Sequence, residues 1–168
     1  TLLKSAPQIP GVLWSNHINI EPYLSAVNKC CFLNVSADIS DQKIWNDTSF
    51  PKLWLYNLHY FDDLVGADYE KRSEWHRKLI SRWIRENPVG VGVGWEPYPT
   101  SRRIVNWIKW ILLAQQSTPD MTKSLFLQSS WLNKRVEFHI LGNHLISNAK
   151  ALIFAGLFLI WVLVQHGL

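Results

Sequence analysis

Residues 135–152, RVEFHILGNHLISNAKAL, decide how the rest of the chain is read. A helical pattern runs up to Gly142 and a second one starts at Asn143. Glycine just past one helix and asparagine just before the next are the expected stop and start signals. Asn143 and His144 are therefore expected at a helix–helix corner, backed by a long apolar helix. Asn143 is open to two readings there, an N-cap or a chemical group; His144 is either a first-turn histidine or its partner.

Outward from that corner, helical periodicity dominates. Upstream, Leu125–Leu141 reads as one helix, with Leu125, Leu132, Val136 and Ile140 in phase. Downstream, Leu145–Val164 continues the corner, and His144, Asn148, Ala151 and Ala155 form a narrow polar-to-small stripe suited to a cavity wall or to close helix packing. The apolar run Ala151–Val164 has 14 residues. A membrane span needs about 20, so a buried helix and no membrane span are expected.

Three further helices precede these. Leu53–Leu64 (LWLYNLHYFDDL) is aromatic-rich, and its Tyr56, Asn57, His59 and Tyr60 belong either to a packed helix or to a ligand wall. Glu70–Glu86 carries Trp75, Leu79 and Trp83 on one stripe, opposite a basic face of Lys71, Arg72, Arg77, Lys78, Arg82 and Arg85. Ser101–Gln116, capped by Thr100 or Ser101, buries Ile104, Trp107, Ile108 and Ile111 and sets Arg102, Asn106 and Lys109 together on another face. Residues 89–100 form a Gly/Pro loop. Residues 1–50 are an irregular lead-in broken by Pro7, Pro10 and Pro22, with a possible short strand at Cys30–Val35. The expected architecture is all-α: antiparallel helical hairpins over residues 51–168, forming a bundle or a toroid. No 34- or 40-residue repeat is visible.

Composition limits the function classes. The 168 residues suffice for one domain with a sizeable core. Hydrophobic residues at 48% and aromatics at 13% exclude disorder. Ten tryptophans raise carbohydrate stacking as a prior. A net charge of +4 suits an acidic partner such as a uronic polysaccharide, nucleic acid or anionic lipid. Adjacent Cys30 and Cys31 make no disulfide framework. The N-terminus has no apolar core of a signal peptide, and the ending LVQHGL has no capped close, so the chain reads as truncated at its C-terminus.

Most catalytic signatures are missing. The glycines of VGVGVGW fail the dinucleotide fingerprint, because Trp95 holds the third position. His139 and His144 are five apart, on different faces of a continuous helix, and neither HExxH nor CxxC occurs, so no metal site is expected. GxSxG is absent. Glu96 is alone in its loop, where glycoside hydrolysis needs two carboxylates. No nucleic-acid motif accompanies the basic face. The remaining Asn, His, Tyr, Arg and Trp set suits eliminative cleavage of a uronic-acid polysaccharide. In that reaction an Asn, His or Arg neutralises the carboxylate beside the proton that is removed. A Tyr or His takes that proton and an acid protonates the leaving oxygen. No metal or cofactor is needed.

LWLYNLHYFDDL (53–64), GWEPYPTSRRIVNWIKW (94–110) and HILGNHLISNAKALIFAGL (139–157), with a weaker CCFLN…W lead-in at 30–45, give the chain a resemblance over residues 30–160. It resembles the heparinase II/III-like family of polysaccharide lyases, in its N-terminal helical domain. The resemblance implies an (α/α) toroid followed by a β-sandwich, and β-elimination on acidic polysaccharides. It implies that Asn143 is the carboxylate-neutralising asparagine with His144 beside it. Trp95, Tyr98, Arg103 and Asn106 match the block that faces the cleft, and with His59 they are the expected substrate contacts. The family's catalytic tyrosine falls in a later helical segment. The family is mostly periplasmic or exported. The glycan and the oligomeric state stay open. A non-catalytic module that binds acidic polysaccharide or serves in assembly is the alternative reading.

Overall fold

A computed structural model describes residues 20–138, 140 and 142–165. The prolines at 7 and 10, and His139, lie outside the described residues. Among them are three strands, β1 (Leu24–Ala26), β2 (Lys29–Phe32) and β3 (Val35–Asp38), and five helices. The helices are α1 (Lys52–Tyr60), α2 (Ser73–Glu86), α3 (Pro97–Ala114), α4 (Pro119–Asn133) and α5 (Asn143–Gln165). Short 3-10 turns cover Gln42–Asn46, Asp62–Val65, Tyr69–Arg72 and Val93–Trp95.

The molecule is mostly helical, but the all-α expectation needs one correction. The strands form an antiparallel meander, β1–β2–β3, within the stretch expected to be irregular. Cys30 and Phe32 alternate inward while Lys29 and Cys31 point out, as period-2 burial requires. Leu33 and Asn34 turn the β2–β3 hairpin in the left-handed region. Trp54 on α1 donates to the Val35 carbonyl at 3.0 Å and so ties the sheet to the helices.

Tryptophan builds the core. Trp45, Trp54, Trp83, Trp107 and Trp110 are each at most 1% exposed. Trp83 meets Trp107 edge-on at 5.5 Å, and Trp107 meets Phe61 the same way. The tryptophans thus fill the interior, and few are offered to a sugar. The turns are held by one buried carboxylate. Asp63 accepts from Tyr23 N, Leu24 N, Arg72 Nε and His76 Nε2, all within 3.1 Å. Burial pushes this carboxyl up, but the His76, Arg72 and Leu24 hydrogen bonds outweigh it and hold the group below its ordinary range.

Several helix boundaries differ from the expected ones: α1 ends at Tyr60 and not Leu64, and α4 starts at Pro119 and not Leu125. α3 starts at Pro97, well before Ser101, because proline suits the first helical turn. Thr100 and Ser101 sit inside that turn, bonded to the carbonyls of Gly94 and Tyr98. α4 stops at Asn133, and no helix continues among the described residues between it and α5. Ile140 is exposed and Val136 only half-buried, so the apolar period that suggests helix there packs against little. Gly142 does take a positive φ of 93°, at the entry to α5 and not after a preceding helix.

α5 lies along α3 and α4. It buries Asn148, Ala151, Ala155, Phe158 and Val162, a stripe whose small members let the helices approach closely. The other side stays open. Ile146, Ile153, Leu157, Ile160 and Val164 are each more than 60% exposed. The expected buried helix is therefore buried on one side only. As a whole, the 23-residue α5 is long and apolar enough to cross a membrane, with 28% of its most apolar window covered by protein. Length and composition alone are weak evidence for a span.

Candidate functional site

The N-terminal end of α5 meets the start of α3 and one face of α1. Asn143 is the first residue of α5 and is exposed. The first helical hydrogen bond, Ile146 N donating to the Gly142 carbonyl at 3.2 Å, puts Gly142 at the cap position and Asn143 one residue inside it. His144, one residue on, stacks on Tyr98 of α3 with centroids 4.3 Å apart and planes 26° from parallel. Its Nδ1 lies 3.0 Å from Glu137 Oε2 in the α4–α5 connection. A carboxylate at that distance favours the proton on Nδ1 and leaves Nε2 as the acceptor. Glu137 is itself fixed, because its backbone N–H donates to Asn148 Oδ1 at 3.1 Å.

Tyrosines extend the cluster onto α1. Tyr98 meets Tyr60 edge-on at 5.8 Å, and Tyr60 is tilted against Tyr56 at 6.2 Å. Tyr56 donates to Glu96, which also pairs with Lys52 at 2.9 Å. Burial first, then the Glu96 hydrogen bond and the Glu96 and Glu137 charges, push the Tyr56 hydroxyl well above its ordinary range. Burial and the neighbouring Tyr98 do the same to Tyr60. Both hydroxyls therefore keep their protons and can donate.

Asn106 sits about two turns beyond Tyr98 on α3 and is buried. Its Nδ2 donates to the Tyr60 carbonyl and to Asp62 Oδ1, at 2.9 and 2.6 Å. Asp62 also accepts twice from Arg102. Asn106 is thereby engaged by α1 and the following turn, at the edge of the site.

Three of the expected substrate contacts lie inside the protein instead. His59 is fully buried. Its Nδ1 accepts from Trp83 Nε1 at 3.0 Å, so Nε2 carries the proton and donates to the Trp45 carbonyl at 2.8 Å. Burial, then the Arg103 charge, pull its pKa down to about 3. Trp95 is 4% exposed, stacks against Trp83 and Trp131, and donates to the Asn87 carbonyl. Arg103 is fully buried and pairs with no carboxylate. It donates to Gln128 Oε1 and the Gly94 carbonyl at 2.9 and 2.7 Å, and lies 3.8 Å over the Trp83 ring. Burial lowers its pKa strongly. Glu96 faces α1, where Tyr56 and Lys52 hold it, and is not a partner of Arg103. These three residues hold the 93–95 turn against α1. A Cβ on Gly94 would stand 2.4 Å from His59 Nδ1, so the turn tolerates only glycine there.

The structure thus brings Tyr98, Asn143 and His144 together at the surface, keeps Asn106 at the margin, and removes His59, Trp95 and Arg103 to the core. Tyr56 and Tyr60, read as part of a packed helix or of a ligand wall, join the cluster, and so does Glu137, which was not expected there. Tyr56 and Tyr60 are signalled by their i, i+4 spacing. Glu137 carries no signal, because it acts from an irregular segment. The basic face of α2 is largely paired: Arg77 and Lys78 with Glu74, Arg82 and Arg85 with Glu86. Among the described residues no three His, Cys, Asp or Glu side chains converge as a metal site would need. No protein-family model, curated protein or solved structure matches the chain.

Proposed function

We propose that the protein cleaves an acidic, uronic-acid-containing polysaccharide by β-elimination, with Asn143 and His144 at the reacting centre and the helical part organised as an (α/α) toroid. The observation that carries this reading is the Tyr98–His144 stack, braced by Glu137 beside an exposed asparagine amide. The Asn143 amide donates to the uronate carboxylate and spreads the charge that builds at C5. His144 Nε2 takes the C5 proton. The C4–O bond then breaks as the C4=C5 double bond forms, and the leaving oxygen receives a proton from a tyrosine hydroxyl. Tyr98 is the tyrosine stacked on His144. The family resemblance supplies a tyrosine from a later segment instead.

The test is turnover of a panel of uronate oligosaccharides, followed by ultraviolet absorbance of the unsaturated product. Asn143→Ala and His144→Ala are expected to lower kcat/KM by roughly a hundredfold or more. Folding stability should change by no more than about 1 kcal/mol in each. Tyr98→Phe keeps the stack and removes only the hydroxyl, so it separates positioning from proton donation. Unchanged turnover in Asn143→Ala removes that residue from the mechanism. Saturable binding with no unsaturated product supports instead a non-catalytic acidic-polysaccharide-binding or assembly module.

A further inference from the structure

The open face of α5 has a regular order. Ile146, Ile153 and Ile160 stand seven residues apart, and Ala149, Gly156 and Leu163 follow each of them by three. All six are exposed. Steps of three and four residues, kept from 146 to 163, draw the narrow seam along which one helix takes up another. The stripe packed on α3 and α4 runs along the opposite side of the helix. Gly156 lies near the middle of the seam, and nothing in the fold around it asks for glycine. It is not among the residues in the left-handed region, and a Cβ there would meet nothing within 4 Å. Glycine inside a helix is unfavourable relative to alanine. Its missing side chain does serve a neighbour that has to come close.

The seam is complementary to itself when reversed. Laid antiparallel on a second copy, Ile153 faces the partner's Gly156, Ile160 faces the partner's Ala149, and Ile146 faces the partner's Leu163. The same three contacts recur in the other direction, as two-fold symmetry requires. Isoleucine therefore meets a small residue in all four central contacts. Laid parallel, Gly156 meets the partner's Gly156 and leaves a gap, and the exposed Lys150 beside the seam meets the partner's Lys150 at the same height. Reversal sets these two charges about 13 Å apart along the axis, beyond the ~8 Å screening length. It also opposes the helix dipoles. The area is adequate. Ile146, Ile153, Leu157, Ile160, Leu163 and Val164 are the bulky exposed side chains of this face. At roughly 100 Å² each they give about 600 Å² per chain, so a reversed pair buries ~1,200 Å², where specific interfaces begin. A lipid surface fits less well. It has no use for a notch, and α5 is tied on its other side to α3 and α4, with Asn148 buried there.

We propose that α5 is a dimerisation helix. Two copies of the chain pair antiparallel along the seam from Ile146 to Leu163, with Ile153 of each seated over Gly156 of the other. Leu157 and Val164 flank the seam and add apolar cover. The polysaccharide reading is not needed for this, and the pairing does not close the Asn143–His144 end, because His144 stacks on Tyr98 on the α3 side of the helix.

Sedimentation equilibrium of the whole chain over a wide range of concentration tests it, alongside Gly156→Ile, Ile153→Gly and the exchange variant that carries both. The expected result is a monomer–dimer equilibrium. Gly156→Ile should weaken it by roughly tenfold or more, although the substitution adds an apolar group, because the notch is filled. Ile153→Gly should weaken it as well by emptying the notch. The exchange variant, in which isoleucine again faces glycine, should recover most of the parent's affinity. Melting at a dilution where the chain is monomeric is the control. Gly156→Ile has open space for its side chain, so its melting temperature should not fall, and this variant stays decisive if Ile153→Gly loosens the helix. Tighter association of Gly156→Ile would describe a surface that gathers any apolar partner, and it overturns the proposal. A chain that stays monomeric at every concentration overturns it too, and co-sedimentation of that monomer with phosphatidylcholine vesicles would give the face to lipid instead.

Discussion

Trp54, Trp83, Trp107 and Trp110 on α1, α2 and α3 are at most 1% exposed, whereas Ile146, Ile153, Leu157 and Ile160 on α5 are each above 60%. Yet α5 is the more apolar helix by composition. The difference shows that burial follows from which face finds a partner, and not from how apolar an element is. In the first half, most elements offer a large ring to one shared interior, and many of the polar groups carried inside are bonded, although Trp107 Nε1, Trp110 Nε1 and His76 Nδ1 have no partner. In α5 a stripe of small residues makes the contact, and the bulky side chains are left outside. The two regions also divide the labour. The sealed half fixes the 93–95 turn and the start of α3, and the half-covered helix delivers Asn143, His144 and Lys150 to the surface.

The comparison can be broken at Arg103. This guanidinium is the costliest group in the sealed half, since its partners are a neutral amide, carbonyls and a ring. Replacing it with Met should destabilise the protein by about 3 kcal/mol or more, because the Gly94 carbonyl and Gln128 lose a buried donor. Urea unfolding measures it. A loss below 1 kcal/mol would mean that the turn is held by packing alone.

Acid should act on the same half next. His59 has a folded pKa of about 3 against an unfolded value near 6.5. Between these values the unfolded chain binds the extra proton, so stability falls as pH falls. From pH 7 to pH 5 this amounts to ~2 kcal/mol. His59→Gln should flatten that slope in melting curves. Asp63 adds a second loss at lower pH. Its depressed carboxyl stabilises the fold above the ordinary carboxylate range, and that contribution disappears as pH drops through it.

On α5 the two faces should respond oppositely. Ala155→Leu forces bulk into the contact with α3 and should cost about 1–3 kcal/mol, read from the denaturation midpoint. Leu157→Ser, on the open face, should change stability by less than about 0.5 kcal/mol and lower self-association in light scattering. A large loss from Leu157→Ser at a dilution where the chain is monomeric would show that other parts of the same chain cover this face.

The helices were legible where one periodic stripe met a large core. Trp75, Leu79 and Trp83 define α2, and Ile104, Trp107, Ile108 and Ile111 define α3, to within a few residues of their observed ends. The small-residue stripe of α5 was legible too, as close packing. Where reading failed, local pattern and tertiary partner disagreed. Val136 and Ile140 keep helical phase, yet Val136 is only half-buried and Ile140 is exposed. Of the β-meander only one strand, near Cys30–Val35, shows in the pattern, because its strands are three or four residues long. Within the site, the adjacency of Asn143 and His144 and the Arg102, Asn106, Lys109 face could be read from spacing. The withdrawal of His59, Trp95 and Arg103 could not, because a polar atom's partner across 24 to 44 residues is a property of the fold. Ten tryptophans suggested sugar stacking, but the interior claimed most of them.

The alanine contact of α5 also acts as a fulcrum. His144 lies 11 residues from Ala155, about 17 Å along the axis at the helical rise. A tilt of about 4° at the alanine would swing the imidazole by ~1 Å, enough to slide it off the Tyr98 ring. Mutations on the far side of the molecule from the reacting centre can therefore misalign it while leaving every residue there unchanged.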